Sequence, residues 1–211
     1  GLSVTGKELL GRLGEFSQGI LREKLLNEKP ELLQAEAEIP GRPPVLCAGC
    51  PHRPMFYLLK KLKCNVSGDI GCYTLGALAP LGAMDTCICM GASVSALHGM
   101  TKARGEEFAR KSVAVIGDST FIHSGITGMI DMAYNKGNGT IIVLDNSITG
   151  MTGHQQNPAT GYTITGDPTV AVDLEALARA CGFRRVRVTD PYDLEATEKV
   201  LREELEAEEP S

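Results

Sequence analysis

Apolar residues recur every three to four positions over Lys7–Glu15 and Gln18–Leu26, a spacing that predicts two helices. A charged stretch without any β-branched run follows, so residues 1–39 read as a helical lead-in. The segment Ile39–Pro44 carries three prolines in six residues, which forbid helix and predict a stiff, extended connector. Lead-in and linker therefore take up 1–44, and the main domain is expected over 45–211.

After Val45 the pattern changes: short apolar, β-branched runs alternate with glycine-rich turns and with stretches of helical period. Val113–Ile116, ending at Gly117-Asp118, and Thr140–Leu144, ending at Asp145-Asn146, are unbroken apolar runs, as expected of strands buried on both faces. Between them, Ile126, Met129, Ile130 and Ala133 place a helix over Ser124–Asn135, stopped by Lys136-Gly137-Asn138-Gly139. Pro54–Lys63, Gly91–Arg104, Val172–Cys181 and Leu194–Glu206 predict further helices, and Arg184–Val188 a further strand. The alternation points to an α/β fold with a mostly parallel central sheet and helices on both faces.

Composition narrows the function classes. With 43% hydrophobic and 22% charged residues in 211, the chain can bury one core. The net charge is -5 and Lys and Arg are scattered, which excludes a nucleic-acid stripe. Apolar stretches are broken by Gly, Asp or Pro well short of the roughly 18 to 20 residues needed to span a bilayer. Seven irregularly spaced cysteines argue against a disulfide framework and for thiols or metal ligands in a cytoplasmic protein. The chain opens on Gly1 rather than Met, so a segment of something longer is expected.

In open parallel sheets, ligands gather beyond the carboxyl ends of the strands. The two strand ends deliver Gly117-Asp118-Ser119 and Asp145-Asn146-Ser147-Ile148, so an acid, an amide oxygen and a backbone carbonyl can converge on one hard cation. Such ligands suit Mg2+, which usually keeps phosphate oxygens in its shell, so a bound diphosphate is implied too. Gly71, Gly91, Gly117, Gly150 and Gly153 permit close backbone approach to it. Alone, Gly-Asp-Ser after a strand is more often a turn with an N-cap; the pair of strand ends favours the ligand site.

Gly117-Asp118-Ser119 through Asn146 resembles the thiamine-diphosphate motif, Gly-Asp-Gly followed later by Asn, with Ser119 in place of the last Gly. The run Val143–Gln155 resembles the corresponding loop of 2-oxoacid:ferredoxin oxidoreductases. Cys47-Ala48-Gly49-Cys50-Pro51-His52-Arg53 resembles the Cys-Pro-Gly-Cys-Pro-His-Arg stretch of the indolepyruvate type, and Ser67–Tyr73 and Met90–Ser93 resemble its remaining cofactor loops. The likeness runs from about Val45 to Arg187.

The resemblance implies a thiamine-diphosphate-binding fold. It implies Mg2+ held by Asp118, Asn146 and the Ile148 carbonyl, and a cofactor lined by Cys47, Gly49, Gly71, Cys72, Met90, Gly91, Ala92, Gly117 and Ser119. Thr149, Gly150, Met151 and Thr152 complete that lining, and Cys50 and His52 are the candidates for a direct catalytic role. It implies oxidative decarboxylation of an arylpyruvate, with coenzyme A taking the acyl group and ferredoxin the electrons. The activating glutamate is then expected from a separate pyrimidine-binding domain of the same full-length chain, alongside a ferredoxin-like domain and a smaller second subunit. Pyruvate and 2-oxoglutarate are alternative substrates.

For Cys47, Cys50 and Cys72 two readings stand. Either the three hold a 4Fe-4S cluster, or Cys50 lies beside the thiazolium ring and the loop shapes the pocket. A zinc site on Cys47, Cys50 and His52 is a minor third. Cys64, Cys87, Cys89 and Cys181 are expected in the core. His98 and His123 are expected as hydrogen-bonded structural residues, and Arg42, Arg53 and Lys102 as solvated ones. A plain decarboxylase leaves the Cys47–Arg53 loop without a use. A Rossmann domain lacks its Gly-x-Gly-x-x-Gly. A non-catalytic iron–sulfur electron-transfer module remains the rival from another class.

Overall fold

A computed structural model describes residues 1–29, 31 and 37–211. The chain divides into two compact units, Gly1–Pro43 and Pro44–Ser211. The first holds α1 (Lys7–Leu10) and α2 (Gln18–Leu26), neither with a buried residue. The Ser17 hydroxyl accepts from Ile20 N–H and starts α2 where the spacing predicts it. The helix expected over Lys7–Glu15 is shorter, because Gly11 and Gly14 sit at positive φ and turn the chain. The rest of the charged lead-in, at 30 and 32–36, lies outside the described residues.

The second unit begins with α3 (His52–Leu62), β1 (Asn65–Gly68) and a 3-10 turn, Cys72–Ala77. Then come β2 (Thr86–Cys87), α4 (Ala92–Arg104), α5 (Glu106–Ala109) and β3 (Ser112–Gly117). A short α6 (Asp118–Thr120) runs through a π-turn, Phe121–Gly125, into α7 (Ile126–Tyr134). The chain closes with β4 (Thr140–Leu144), α8 (Leu174–Ala180) and α9 (Leu194–Leu205).

The four strands are all parallel, in the order β2-β1-β3-β4. Alternate residues of β3 build two cores. Val113 and Val115 pack with Phe56, Leu58 and Leu59 of α3 and Leu201 of α9. Ala114 and Ile116 pack with Val94 and Leu97 of α4 and Met129 and Met132 of α7. All four of these β3 residues are fully buried, which is why the strand reads as unbroken apolar sequence.

Three expectations need correction. Arg184–Val188 forms no ladder: a cavity of about 270 Å3 lies between it and β4. Its arginines instead hold Glu204 of α9, Arg185 in two bonds of 2.8 and 2.9 Å and Arg187 at 3.4 Å. Cys87 and Cys89 are exposed rather than core, because β2 is the edge strand. Cys64 is only half-buried, although burial pushes its thiol up to about 11, and Cys181 is buried in the second core. His98 is buried in α4, but its Nδ1 has no hydrogen-bond partner. No helix among the described residues is long and apolar enough to cross a membrane.

Candidate functional site

The chain leaves β1 for β2 on one side and returns to β3 on the other, so the strand order reverses between β1 and β3. Loops diverge at such a point and leave a crevice at the carboxyl ends. The cavity there has a volume of about 90 Å3. The loop after β1 and the start of the 3-10 turn supply its Ile70–Tyr73 side, β3 and α6 supply Gly117–Thr120, and the loop after β4 supplies Asn146 and Ile148–Thr152.

Asp118 is 3% exposed, and burial raises its carboxyl pKa above the usual range. Bonds from the Ser119 backbone and Asn157 work the other way, and the neighbouring Asp145 adds to the rise. Asn146 stands at the end of the neighbouring strand, its Oδ1 accepting from Ile148 N–H at 3.3 Å. The Thr149 hydroxyl donates to Ser119 Oγ at 3.1 Å, joining the loops after β3 and β4. That second loop is closed by paired backbone bonds between Thr149 and Gln155, at 3.0 and 3.2 Å.

Two glycines are required by close approach. A Cβ on Gly117 would lie 2.6 Å from the Tyr73 ring and one on Gly71 would lie 2.4 Å from it. Tyr73 is itself buried and fixed by donating to the Ile70 carbonyl at 2.9 Å.

The structure brings Gly71, Cys72, Met90, Gly117, Asp118 and Ser119 to one cavity with Asn146, Ile148, Thr149, Gly150, Met151, Thr152 and His52. Gly91 and Ala92 do not line it but start α4 beside Met90. Cys47, Gly49 and Cys50 also stand outside the wall. Their loop is pinned by Arg53, whose Nε donates to the Cys47 carbonyl at 2.9 Å, and by the Tyr192 hydroxyl on the Gly49 carbonyl. Arg53, expected merely to be solvated, therefore shapes this loop.

The charges of Cys50 and Cys47 add to burial in raising the Cys72 thiol, so the three are electrostatic neighbours. Among the described residues, however, no three His, Cys, Asp or Glu side chains form a metal-holding group.

Burial lowers the His52 pKa below its ordinary 6.5, and its ring meets Tyr73 edge-on at 6.1 Å. A depressed histidine contributes stability that is present above its unfolded value and lost as pH falls through the folded one. Urea midpoints of the wild type should therefore fall between about pH 7 and about pH 5. His52→Gln should remove part of that fall; an identical pH profile would mean His52 is not the buried neutral group described.

Sequence reasoning missed several site residues. His123, expected as structural, lines the cavity and is exposed, with Nδ1 2.5 Å from Ser124 Oγ. Asp69 is fully buried; Oδ1 accepts from Ile70 and Gly91 N–H at 2.8 and 2.9 Å, and Oδ2 from Ser93 N–H at 3.0 Å. It thereby ties the end of β1 to the start of α4. An acid between glycines, Gly68-Asp69-Ile70-Gly71, is the signal that marks it. Asn157, buried behind Asp118, carries no local signal at all.

Residues 69–211 match the family described as thiamine pyrophosphate enzyme, C-terminal TPP binding domain. The chain is 44% identical over 174 residues to indolepyruvate oxidoreductase subunit IorA of Archaeoglobus fulgidus, covering 80% of this chain and 27% of that protein. It is 43% identical over 232 residues to the subunit of the same name from Thermococcus kodakarensis, covering 98% of this chain and 36% of that one. The chain thus spans only about a third of the length of these relatives. In fold it is similar to a chain of 2-oxoglutarate:ferredoxin oxidoreductase from Magnetococcus marinus, with a TM-score of 0.66 at 19% identity over 83% of this chain and 63% of that one. The match over residues 69–211, which hold β2 to β4 and most of the cavity at the β1–β3 reversal, places the chain in the family of thiamine pyrophosphate enzyme C-terminal TPP-binding domains.

Proposed function

We propose that the chain is the thiamine-diphosphate- and Mg2+-binding part of an oxygen-sensitive 2-oxoacid:ferredoxin oxidoreductase of the indolepyruvate type. Such an enzyme converts an arylpyruvate to the arylacetyl-CoA, releases carbon dioxide and passes electrons to ferredoxin. The observation that carries this reading is the meeting of buried Asp118, Asn146 and Ile148 in one cavity, on a chain similar to proteins named indolepyruvate oxidoreductase subunit IorA.

The residues fit the group. Asp118, Asn146 and the Ile148 carbonyl offer only hard oxygen donors, as Mg2+ prefers. Asp118 is a carboxylate whose charged form burial disfavours, the environment in which a divalent cation has most to stabilise. Bound thiamine diphosphate would supply the electron sink for the carbanion chemistry. The chain's own part is to hold and orient. Gly71 and Gly117, lacking a Cβ, let the Tyr73 ring pack on their backbone and so set this part of the cavity wall. His52, kept neutral by burial, faces the cavity as a hydrogen-bonding imidazole. The Cys47–Arg53 loop brings His52 to the cavity, where Cys72 also stands, and this supports a pocket-shaping role for the loop.

The pyrimidine-binding and ferredoxin-like domains belong, in this reading, to the remainder of a longer cytoplasmic chain, with a smaller second subunit as partner. Calorimetric titration with thiamine diphosphate, with and without Mg2+, tests it. Binding that requires the metal is expected, with the affinity rising when the pyrimidine-binding domain is present. No binding in either setting sinks the thiamine assignment.

A further inference from the structure

Asn157 is 7% exposed and stands behind Asp118, outside the cavity wall. Its Nδ2 donates to Asp118 Oδ2 at 3.1 Å and reaches Thr149 Oγ1 at 3.5 Å. Its Oδ1 accepts from Ala159 N–H at 2.8 Å, which decides the end of the amide that faces the carboxylate. Thr149 in turn donates to Ser119 Oγ. One amide therefore ties Asp118, at the end of β3, to the loop that follows β4, and occupies one carboxylate oxygen in a fixed plane.

We propose that Asn157 is a positioning residue for the divalent cation: it sets the Asp118 carboxylate and thereby favours Mg2+ over larger ions. The inference rests on the reading of Asp118 as a Mg2+ ligand. Mg2+ demands near-ideal octahedral geometry at short distances, whereas Ca2+ accepts irregular shells. A carboxylate loosened by loss of its amide partner penalises Mg2+ more than Ca2+. Outer-shell partners of metal ligands act in this way, and losing one typically costs about 10- to 100-fold in metal affinity.

The test is thiamine diphosphate binding to the full-length protein as a function of Mg2+ and, separately, of Ca2+. The proteins compared are wild type, Asn157→Ala and the near-isosteric Asn157→Leu, which fills the same space should the alanine variant fail to fold. The half-saturating Mg2+ concentration should rise about 10- to 100-fold. That for Ca2+ should rise less, and saturating Mg2+ should restore the wild-type affinity for the cofactor. A purely structural asparagine would weaken both metals equally and leave the cofactor affinity low at saturating metal; that result overturns the proposal. An unshifted Mg2+ requirement in the variants overturns it as well. Wild-type protein without metal-dependent binding overturns both the proposal and the reading of Asp118 beneath it.

Discussion

Asp118→Ala abolishes the Mg2+-dependent part of thiamine diphosphate binding, a loss expected to exceed the roughly 10- to 100-fold typical of an outer-shell change. Asp118 is the one carboxylate in the proposed ligand set, beside an amide and a backbone carbonyl, so its removal takes away the set's only formal charge. Stability moves the other way. Burial raises the Asp118 pKa, so the folded state binds its proton more tightly than the unfolded chain does. The stability this group contributes is present below the ordinary carboxylate range and lost as pH rises through the folded value. At neutral pH the ionised group is thus a liability, and Asp118→Asn, which keeps the shape and drops the charge, should unfold at the same or a higher urea concentration. Calorimetry and urea denaturation on the same preparations decide the matter. An Asp118→Asn protein that binds cofactor with the wild-type metal requirement would remove Asp118 from the site. One that unfolds much earlier would show the carboxylate to be structural.

Gly91→Ala should be the most damaging small substitution in the second unit. Gly91 has a φ of +83°, in the left-handed region, and caps α4. A left-handed backbone costs a residue with a Cβ about 1 to 2 kcal/mol. The new Cβ would also lie 2.5 Å from Ser124 Cβ and 2.7 Å from the Ser124 carbonyl oxygen, and backbone cannot yield as a flexible side chain can. Relief requires α4 to part from the π-turn before α7, straining the bond from Gly91 N–H to Asp69 and moving Met90 in the cavity wall. A loss of about 3 kcal/mol is expected, together with weaker cofactor binding. Gly99→Ala is the control: it lies within α4 with open space around its Cβ, and should stabilise by about 0.5 to 1 kcal/mol. Equal urea midpoints for Gly91→Ala and wild type would refute the cap geometry.

The sequence by itself determined the elements whose burial is uniform or strongly periodic. β3 and β4 read as strands because β3 is buried on both faces and β4 is largely so. α3, α4 and α9 read within a residue or two of their ends because each packs one apolar stripe on the sheet. That Asp118, Asn146 and Ile148 come to one cavity was legible for a related reason, since both strand ends are local features and carry their polar residues with them.

Tertiary structure alone decided the rest. β1, Asn65–Gly68, is too short and polar to announce itself, and becomes a strand only by pairing with β2 and β3. Without it the reversal in strand order is invisible, and so is the reason the cavity sits between β1 and β3. Arg184–Val188 has the pattern of a strand, yet it joins no ladder and is tied to α9 through Arg185 and Arg187 on Glu204, a side-chain contact that its pattern does not announce. Cys87 and Cys89 sit in an apolar run that position at the sheet edge leaves in solvent. Asp69 and Asn157 act on groups 22 to 24 and 39 residues away, respectively, and contacts of that range leave no period or spacing in a sequence. Local chemistry is written along the chain; which of its pieces face one another depends on folding.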